Sequence, residues 1–406
     1  MTGKAAVTKR LYFKDAYQRE FAGRVLERFF HRGTPAVVLD VTCFYPESGG
    51  QPSDWGSLEE AEVIQVIEDG DRIVHLLDRE LSRTEVRGLI AWDRRFDHMQ
   101  QHSGQHVLSQ CFIEILEGET RSFHLGEQVV TLEIGISAIS DEDLERVEAR
   151  ANEIVFENRE IKTYFVDAEE IGKVPLRRPP QKEGLIRVVE VEGFDFSACG
   201  GTHCRRTGEI GLIKIIRWDK IRNNLRFEFL CGRRARQDYA QKNRSLLEIS
   251  QKLSVRESDA AAAVEKALQE AKRFRKKQRE MHEALAAYQA EEAVKCAKGR
   301  LIRATWTDKT TEEAKLLALS IIRQADLAVL FAIKGEKSDH LLFACSDRLP
   351  LNMRELLPIL ASMAKVKGGG SPSLVELVAE KGSDLEEVLR AAEEFLRRKL
   401  ASLGGQ

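Results

Sequence analysis

No run of about 18 apolar residues occurs anywhere in the chain, so a membrane-spanning helix is not expected. The opening MTGKAAVTKR lacks an apolar segment, which argues against a secretory leader. Excess charge is also lacking. The net value is −2, so no overall field draws in nucleic acid, and any such binding needs a local patch. The cysteines are seven, Cys43, Cys111, Cys199, Cys204, Cys231, Cys296 and Cys345. An odd, scattered set does not form a disulfide framework, and a reducing cytoplasm is the expected setting. No internal repeat is present.

What is there is a chain of 406 residues, 43% hydrophobic and 32% charged. That composition belongs to a soluble globular protein, and the length to about two to four domains. Residues 1–90 are rich in β-formers. AEVIQVIEDGDRIVHLL alternates and turns at Asp69-Gly70, a hairpin signal, so a small barrel is expected there. Residues 91–240 mix a helix over 97–116, a helix after the Ser140 N-cap, and strands at VVTLEIGI, IKTYFV, IRVVEV, GEIGLIKIIRW and LRFEFLCG. This predicts an α+β domain with a largely antiparallel sheet. Residues 241–298 read as helical. Ser254 and Glu257 make a capping-box pattern, and Val264, Ala267, Ala271, Phe274, Gln278, Met281, Leu285 and Tyr288 step in alternating threes and fours. That spacing predicts a coiled-coil seam or a plain helical spacer. Residues 299–406 alternate strands and helices as an α/β domain, with the Gly-rich KVKGGGSPS between its last two helices. The fold class is thus α+β and multidomain.

Chemistry concentrates in two short strings. In DHMQQHSGQHVLSQ, His102 and His106 stand four apart and share a helix face, and His98 stands four before them. In DFSACGGTHC, Cys199 and His203 are four apart on a Gly-rich turn, where Gly200 and Gly201 allow a sharp bend. A thiolate and an imidazole on a loop, facing two imidazoles on a helix, suit tetrahedral zinc better than magnesium or calcium. His98 is left over, as a supporting or a surface histidine. Cys204, beside a ligand, is expected to point into the core. Four protein ligands normally close a structural site, whereas catalysis needs an open position, and the spacing alone leaves both roles standing.

The pair HSGQH and CGGTH, the string TGEIGLIKIIRWDKIRNNLRFEFLCGRRA and the Gly-rich segment FYPESGGQPSDWG together resemble the editing domain of alanyl-tRNA synthetase and the free-standing alanyl-tRNA editing proteins of the AlaX family. The resemblance covers roughly residues 10–240, and residues 241–406 resemble the coiled coil and C-terminal domain of the long forms. It implies a Zn2+ enzyme with His102, His106, Cys199 and His203 as ligands, hydrolysing the ester of mischarged tRNA(Ala), chiefly Ser-tRNA(Ala) and also Gly-tRNA(Ala). A pocket built for alanine rejects neither a smaller side chain nor one that adds only a hydroxyl, so a second hydrolytic site supplies the discrimination. The chain has no class II synthetase core before residue 10, so it is expected to edit in trans without aminoacylation.

By the same resemblance Gly49, Gly50, Gln51, Ser122 and Thr202 are candidate substrate contacts; for the glycines, a tight turn is the competing reading. Ten basic residues against three acidic ones between Arg205 and Arg236 make a local balance of +7. From that patch Arg205, Arg206 and Arg222, and from the Gly-rich loop Lys367, are candidate tRNA contacts. The loop lacks a P-loop ending, and no Asp-His-His occurs, so neither nucleotide hydrolysis nor a DHH-type phosphoesterase is expected. Homodimerisation through the helical and C-terminal regions is a further expectation. Two rival functions stand beside the main one: editing of Ser-tRNA(Thr), and a non-catalytic, zinc-stabilised RNA-binding protein.

Overall fold

A computed structural model describes residues 7–179, 184–363 and 366–403. The opening residues 1–6, and Ala364 at the end of the helix expected over NMRELLPILASMA, lie outside the described residues. The chain folds as two compact units, Met1–Glu248 and Ile249–Gln406.

The first unit begins with β1 (Lys9–Arg10), β2 (Glu20–His31), β3 (Thr34–Leu39), β4 (Val41–Thr42), β5 (Gly56–Leu58), β6 (Ala61–Asp69), β7 (Arg72–Leu77) and β8 (Glu85–Ile90). Six of these pair in the closed order β2-β3-β7-β6-β5-β8. Alternation builds the ring: β8 buries Val86, Gly88 and Ile90 and exposes the residues between them. Asp69 and Arg72 pair across the expected hairpin, with Gly70 at φ 60°.

Next come α1 (Trp92–Leu116), β9 (Thr120–Leu125), β10 (Val130–Ile134), α2 (Asp141–Phe156), β11 (Ile161–Val166), β12 (Ile186–Val191), β13 (Asp195–Ala198), β14 (Ile213–Ile221), β15 (Asn224–Cys231) and α3 (Gly232–Leu253). The Ser140 Oγ accepts the Asp143 N–H and starts α2 as a side-chain cap. Two antiparallel sheets form where one was expected: β14-β15-β10-β9 and β11-β12-β13. Val107, Leu108, Cys111 and Phe112 of α1 and Val147 and Ile154 of α2 pack with Leu132, Phe227 and Phe229 of the larger sheet.

α1 is unusual in burying polar residues as well. Gln100, Gln101, His102, Ser103, Gln105 and His106 are all nearly inaccessible. Burial without partners would cost each of them dearly, so the surrounding chain supplies bonds. Gln101 donates to the Cys231 carbonyl and accepts the Cys231 N–H, and Gln100 donates to the Glu209 carbonyl. Gly104 lies against Cys231, whose Sγ any Cβ there would strike. The buried Arg95 pairs with Asp54 and donates to the carbonyls of Cys43 and Ala16, which clamps the Gly-rich segment onto α1.

The second unit holds α4 (Ala260–Cys296), β16 (Leu301–Trp306), α5 (Thr311–Gln324), β17 (Ala328–Ile333), β18 (Asp339–Cys345), α6 (Leu356–Met363), β19 (Val366–Gly370), β20 (Leu374–Ala379) and α7 (Leu385–Leu403). Its sheet runs β16-β17-β18-β20-β19, with one parallel pair, β16 and β17, joined through α5. The capping box expected at Ser254 does not form. Ser254 adopts φ 55° after α3, a short 3-10 turn covers Glu257–Asp259, and α4 starts only at Ala260. Of the expected seam, Val264, Phe274, Met281, Leu285 and Tyr288 are exposed. The Gly-rich run is an edge strand rather than an open loop, because the alternating LVELVA offers it a partner; Gly368 faces Leu377 and Gly370 faces Val375.

Candidate metal centre

α1 carries His102 and His106 one turn apart, and the turn after β13 brings Cys199 and His203 up to them. One ligand atom from each of the four lies within 4.8 Å of all the others. The Cys199 Sγ is 3.5 Å from His102 Nε2 and 3.4 Å from His203 Nε2. A tetrahedral zinc with ordinary bond lengths has S···N edges of about 3.6 Å, so the donors are spaced to fit such an ion. Gly201 makes the approach possible, since a Cβ there would collide with the His102 ring.

The far nitrogen of every imidazole is held. His102 Nδ1 donates to Gln51 Oε1 at 2.8 Å, His106 Nδ1 to Asp195 Oδ2 at 3.0 Å, and His203 Nδ1 meets Ser103 Oγ at 3.4 Å. These bonds fix each ring so that Nε2 faces the cluster. Asp195 also accepts from Ser197, and its other oxygen lies 3.4 Å from Arg177. Burial works against an ionised Asp195, but the His106 bond and the Arg177 charge prevail and hold its carboxyl below the usual range. Burial likewise opposes a charged Cys199, yet the neighbouring imidazoles hold the thiol well below its ordinary value. Burial pushes His203 down to about 3, so it is neutral. Burial also opposes the charged form of His106, but Asp195 and Cys199 raise it. Two anions flanking one imidazole form a field that a divalent cation answers, and the donor set fits one.

The other expected residues fall in different places. Gln51 and Thr202 are fully buried and bonded to each other: Gln51 Nε2 donates to Thr202 Oγ1, and the Thr202 N–H returns to Gln51 Oε1. Gly49 and Gly50 are exposed, at φ 59° and 83°, in the turn before Gln51, and the Gly50 carbonyl accepts the Leu125 N–H. Ser122 is exposed. A bulge at Arg121 turns it outward, where it donates to Glu133, and Phe123 instead stacks on His102 at 5.2 Å. His98 is neither at the surface nor among the supports. It is buried, its Nδ1 has no partner among the described residues, and burial followed by the nearby Arg94 charge lowers it to about 3. Cys204 is buried, with its N–H on Ser103 Oγ.

Half of the basic residues of the patch are paired with acids from outside their own segment. Arg205 pairs with Asp15, Lys214 with Glu148, Arg226 with Glu133, Arg233 with Asp93 and Arg234 with Asp97. Arg206 donates to the Asn158 carbonyl. Lys220, Arg222 and Arg236 have no carboxylate partner among the described residues, and Arg222 is at the exposed tip of the β14–β15 hairpin. Lys367 is exposed on β19.

Asp195, Ser103, Phe123 and the supporting role of Gln51 were not anticipated. A signal existed for Asp195: in DFSAC the period of two places Asp195, Ser197 and Cys199 on one strand face.

Residues 186–227, which contain β12, β13 and the Cys199 loop, match the family model described as the threonyl and alanyl tRNA synthetase second additional domain. That segment is therefore similar to the synthetase additional domain, and it carries two of the four clustered residues, Cys199 and His203. The chain is 29% identical to the alanyl-tRNA editing protein AlaX-L of Pyrococcus horikoshii, over 97% of its own length and 100% of that protein. It is 29% identical to the alanyl-tRNA editing protein Aarsd1-A of Xenopus laevis, over 87% of its own length and 86% of that protein. It is also 32% identical to the alanine-tRNA ligase of Pyrococcus furiosus, over 95% of its own length, but spans only 43% of that enzyme. The chain is thus a homologue of the alanyl-tRNA editing protein AlaX-L along that protein's whole length. No described helix is long and apolar enough to cross a membrane.

Proposed function

We propose that the chain is an aminoacyl-tRNA deacylase that acts in trans on mischarged tRNA(Ala), removing serine and also glycine, at a zinc ion held by His102, His106, Cys199 and His203. The observation that carries this reading is the convergence of those four donors, each imidazole with its far nitrogen bonded. Bound there, zinc would polarise an ester carbonyl or lower the pKa of a water.

The chain's own residues supply the rest. Gln51 and Asp195 orient His102 and His106, and Ser103 orients His203. Gly201 N–H lies on the Cys199 Sγ at 3.4 Å and favours the thiolate. Cys199 is the one partly exposed member of the four, with Gly200 beside it at the surface, so substrate reaches the cluster from that side. An approach over a ligand suits a catalytic centre better than a sealed structural one. Thr202 is a positioning residue, through Gln51. Lys220, Arg222 and Arg236, without carboxylate partners among the described residues, are the cations of the patch proposed to take phosphates. We assign self-association to the exposed apolar residues of α4, and sedimentation at rising concentration tests that assignment.

The deciding experiment measures zinc content together with deacylation of Ser-, Gly- and Ala-tRNA(Ala), for the wild type and Cys199→Ala. The wild type should contain stoichiometric zinc, hydrolyse the first two and spare the third. The variant should lose both metal and hydrolysis. Ser-tRNA(Thr) belongs in the same assay, because the matched family model spans threonyl as well as alanyl synthetases. Zinc binding and RNA affinity without any hydrolysis would leave the non-catalytic reading.

A further inference from the structure

A concavity in the first unit is unused by this chemistry. It is a groove of about 530 Å³ lined by Arg10, Phe13, Lys14, Thr163 and Phe165. Phe165 stands on β11, an edge strand of the three-stranded sheet, and is 46% exposed. Its ring meets Phe13 edge-on, with centroids 5.9 Å apart. An aromatic left half in water at a sheet edge costs solvation that a stacking partner would recover.

The groove is wired to the metal loop. Phe165 pairs across the ladder with Arg187 of β12, and the Arg187 carbonyl accepts the Cys199 N–H. The three residues therefore lie in one row across the sheet. At about 4.8 Å per strand, Phe165 and Cys199 are about 10 Å apart, a reach that a nucleotide spans. Arg187 fills the interval. It is buried, donates to the carbonyls of Cys199 and Gly201, and lies 5.3 Å from the Phe13 ring. Among the described residues it has no carboxylate partner, and its Nε has no hydrogen bond. The cations at the rim differ. Arg10 is neutralised by Glu68, whereas the exposed Lys14 has no carboxylate partner among the described residues. A bare ring, a free ammonium and a buried guanidinium, in line with an ester-hydrolysing centre, are the recognition elements of a single-stranded nucleotide.

We infer that this groove seats the unpaired 3′ end of the RNA, with a base stacked on Phe165 and a backbone phosphate on Lys14, while Arg187 ties the platform to the Cys199 loop. The inference rests on the reading that the substrate ester is carried by RNA. The test uses the full chain with Phe165→Ala, Phe165→Trp and Lys14→Gln. Affinity for a short single-stranded RNA bearing the tRNA 3′ sequence is measured by fluorescence anisotropy, and KM and kcat are measured on mischarged tRNA. Phe165→Ala should weaken RNA binding and raise KM about tenfold, with kcat within about twofold, and Phe165→Trp should restore both. Lys14→Gln, a surface change that does not touch the sheet, should weaken RNA binding and flatten its salt dependence. Unchanged affinity and KM in Phe165→Ala and Lys14→Gln would overturn the inference. So would a fall in kcat at constant KM, or a Trp variant as weak as the Ala variant. If the wild type deacylates nothing, the proposed function falls, and the anisotropy series alone still decides whether the groove holds RNA.

Discussion

Asp195 is among the smallest parts of the centre and one of the most informative. It touches no donor atom of the cluster directly, yet it fixes the ring that supplies one. Asp195→Asn should lower zinc affinity about 10- to 100-fold, read by competition with a chromogenic chelator, while leaving the fold intact. His75 tests a different kind of burial. It lies in the barrel wall with Nε2 2.8 Å from Thr42 Oγ1, and burial pushes its imidazole down to about 4. Between its ordinary value near 6.5 and that value, the unfolded chain takes up a proton that the folded chain refuses. The contribution is complete above about pH 6.5 and is lost on acidification towards pH 4, by about 3 kcal/mol. Comparing urea unfolding of wild type and His75→Gln across that window should show a shallower pH dependence in the variant. At this scale the sequence was partly legible. The four donors were readable because each pair is local, four residues apart on a helix or a turn. The outward turn of Ser122 was not legible, because one bulged residue, Arg121, reverses strand alternation, and no periodicity announces a bulge.

Among the elements, α1 carries the centre and shows how a polar helix survives in a core. Its glutamines bond to backbone on β15 and in the turn before β14, and Arg95 takes its charge partner from the Gly-rich segment. Asp54→Ala would leave that guanidinium buried and uncompensated. A loss of about 3–5 kcal/mol is expected in chemical denaturation, far more than for an exposed pair such as Arg79 and Asp78. Gly104→Ala should cost about 1–3 kcal/mol through collision with Cys231, and a second change, Cys231→Ala, should recover part of it. Element types were legible wherever local pattern and tertiary pairing agree, as in α2 with its Ser140 cap or the β6–β7 hairpin. They failed where the neighbouring segment decides. VKGGG pairs as a strand only because LVELVA follows and turns back, and Ser254 ends α3 rather than opening the next helix.

For the whole molecule, charge is better described by pairing than by counting. The segment 205–236 looks strongly basic, but acids at positions 15, 93, 97, 133 and 148 come back in space to meet it. The sequence could not reveal this, because those acids are brought in by the fold. Arg222→Gln should therefore reduce the salt slope of tRNA binding by about 1, whereas Arg217→Gln, already paired with Glu228, should leave it unchanged. Arg234→Gln should instead lower the unfolding temperature, since its partner Asp97 is itself poorly exposed.

His102 and Cys199 stand 97 positions apart, so an ion bridging them closes a covalent-like ring around most of the first unit's α+β layer. Cross-links across long loops restrict the unfolded chain most. The ion would thus act as a clasp as well as a reagent. Stripping it with a strong chelator should lower the melting temperature as well as stop turnover, and restoring zinc should recover both together.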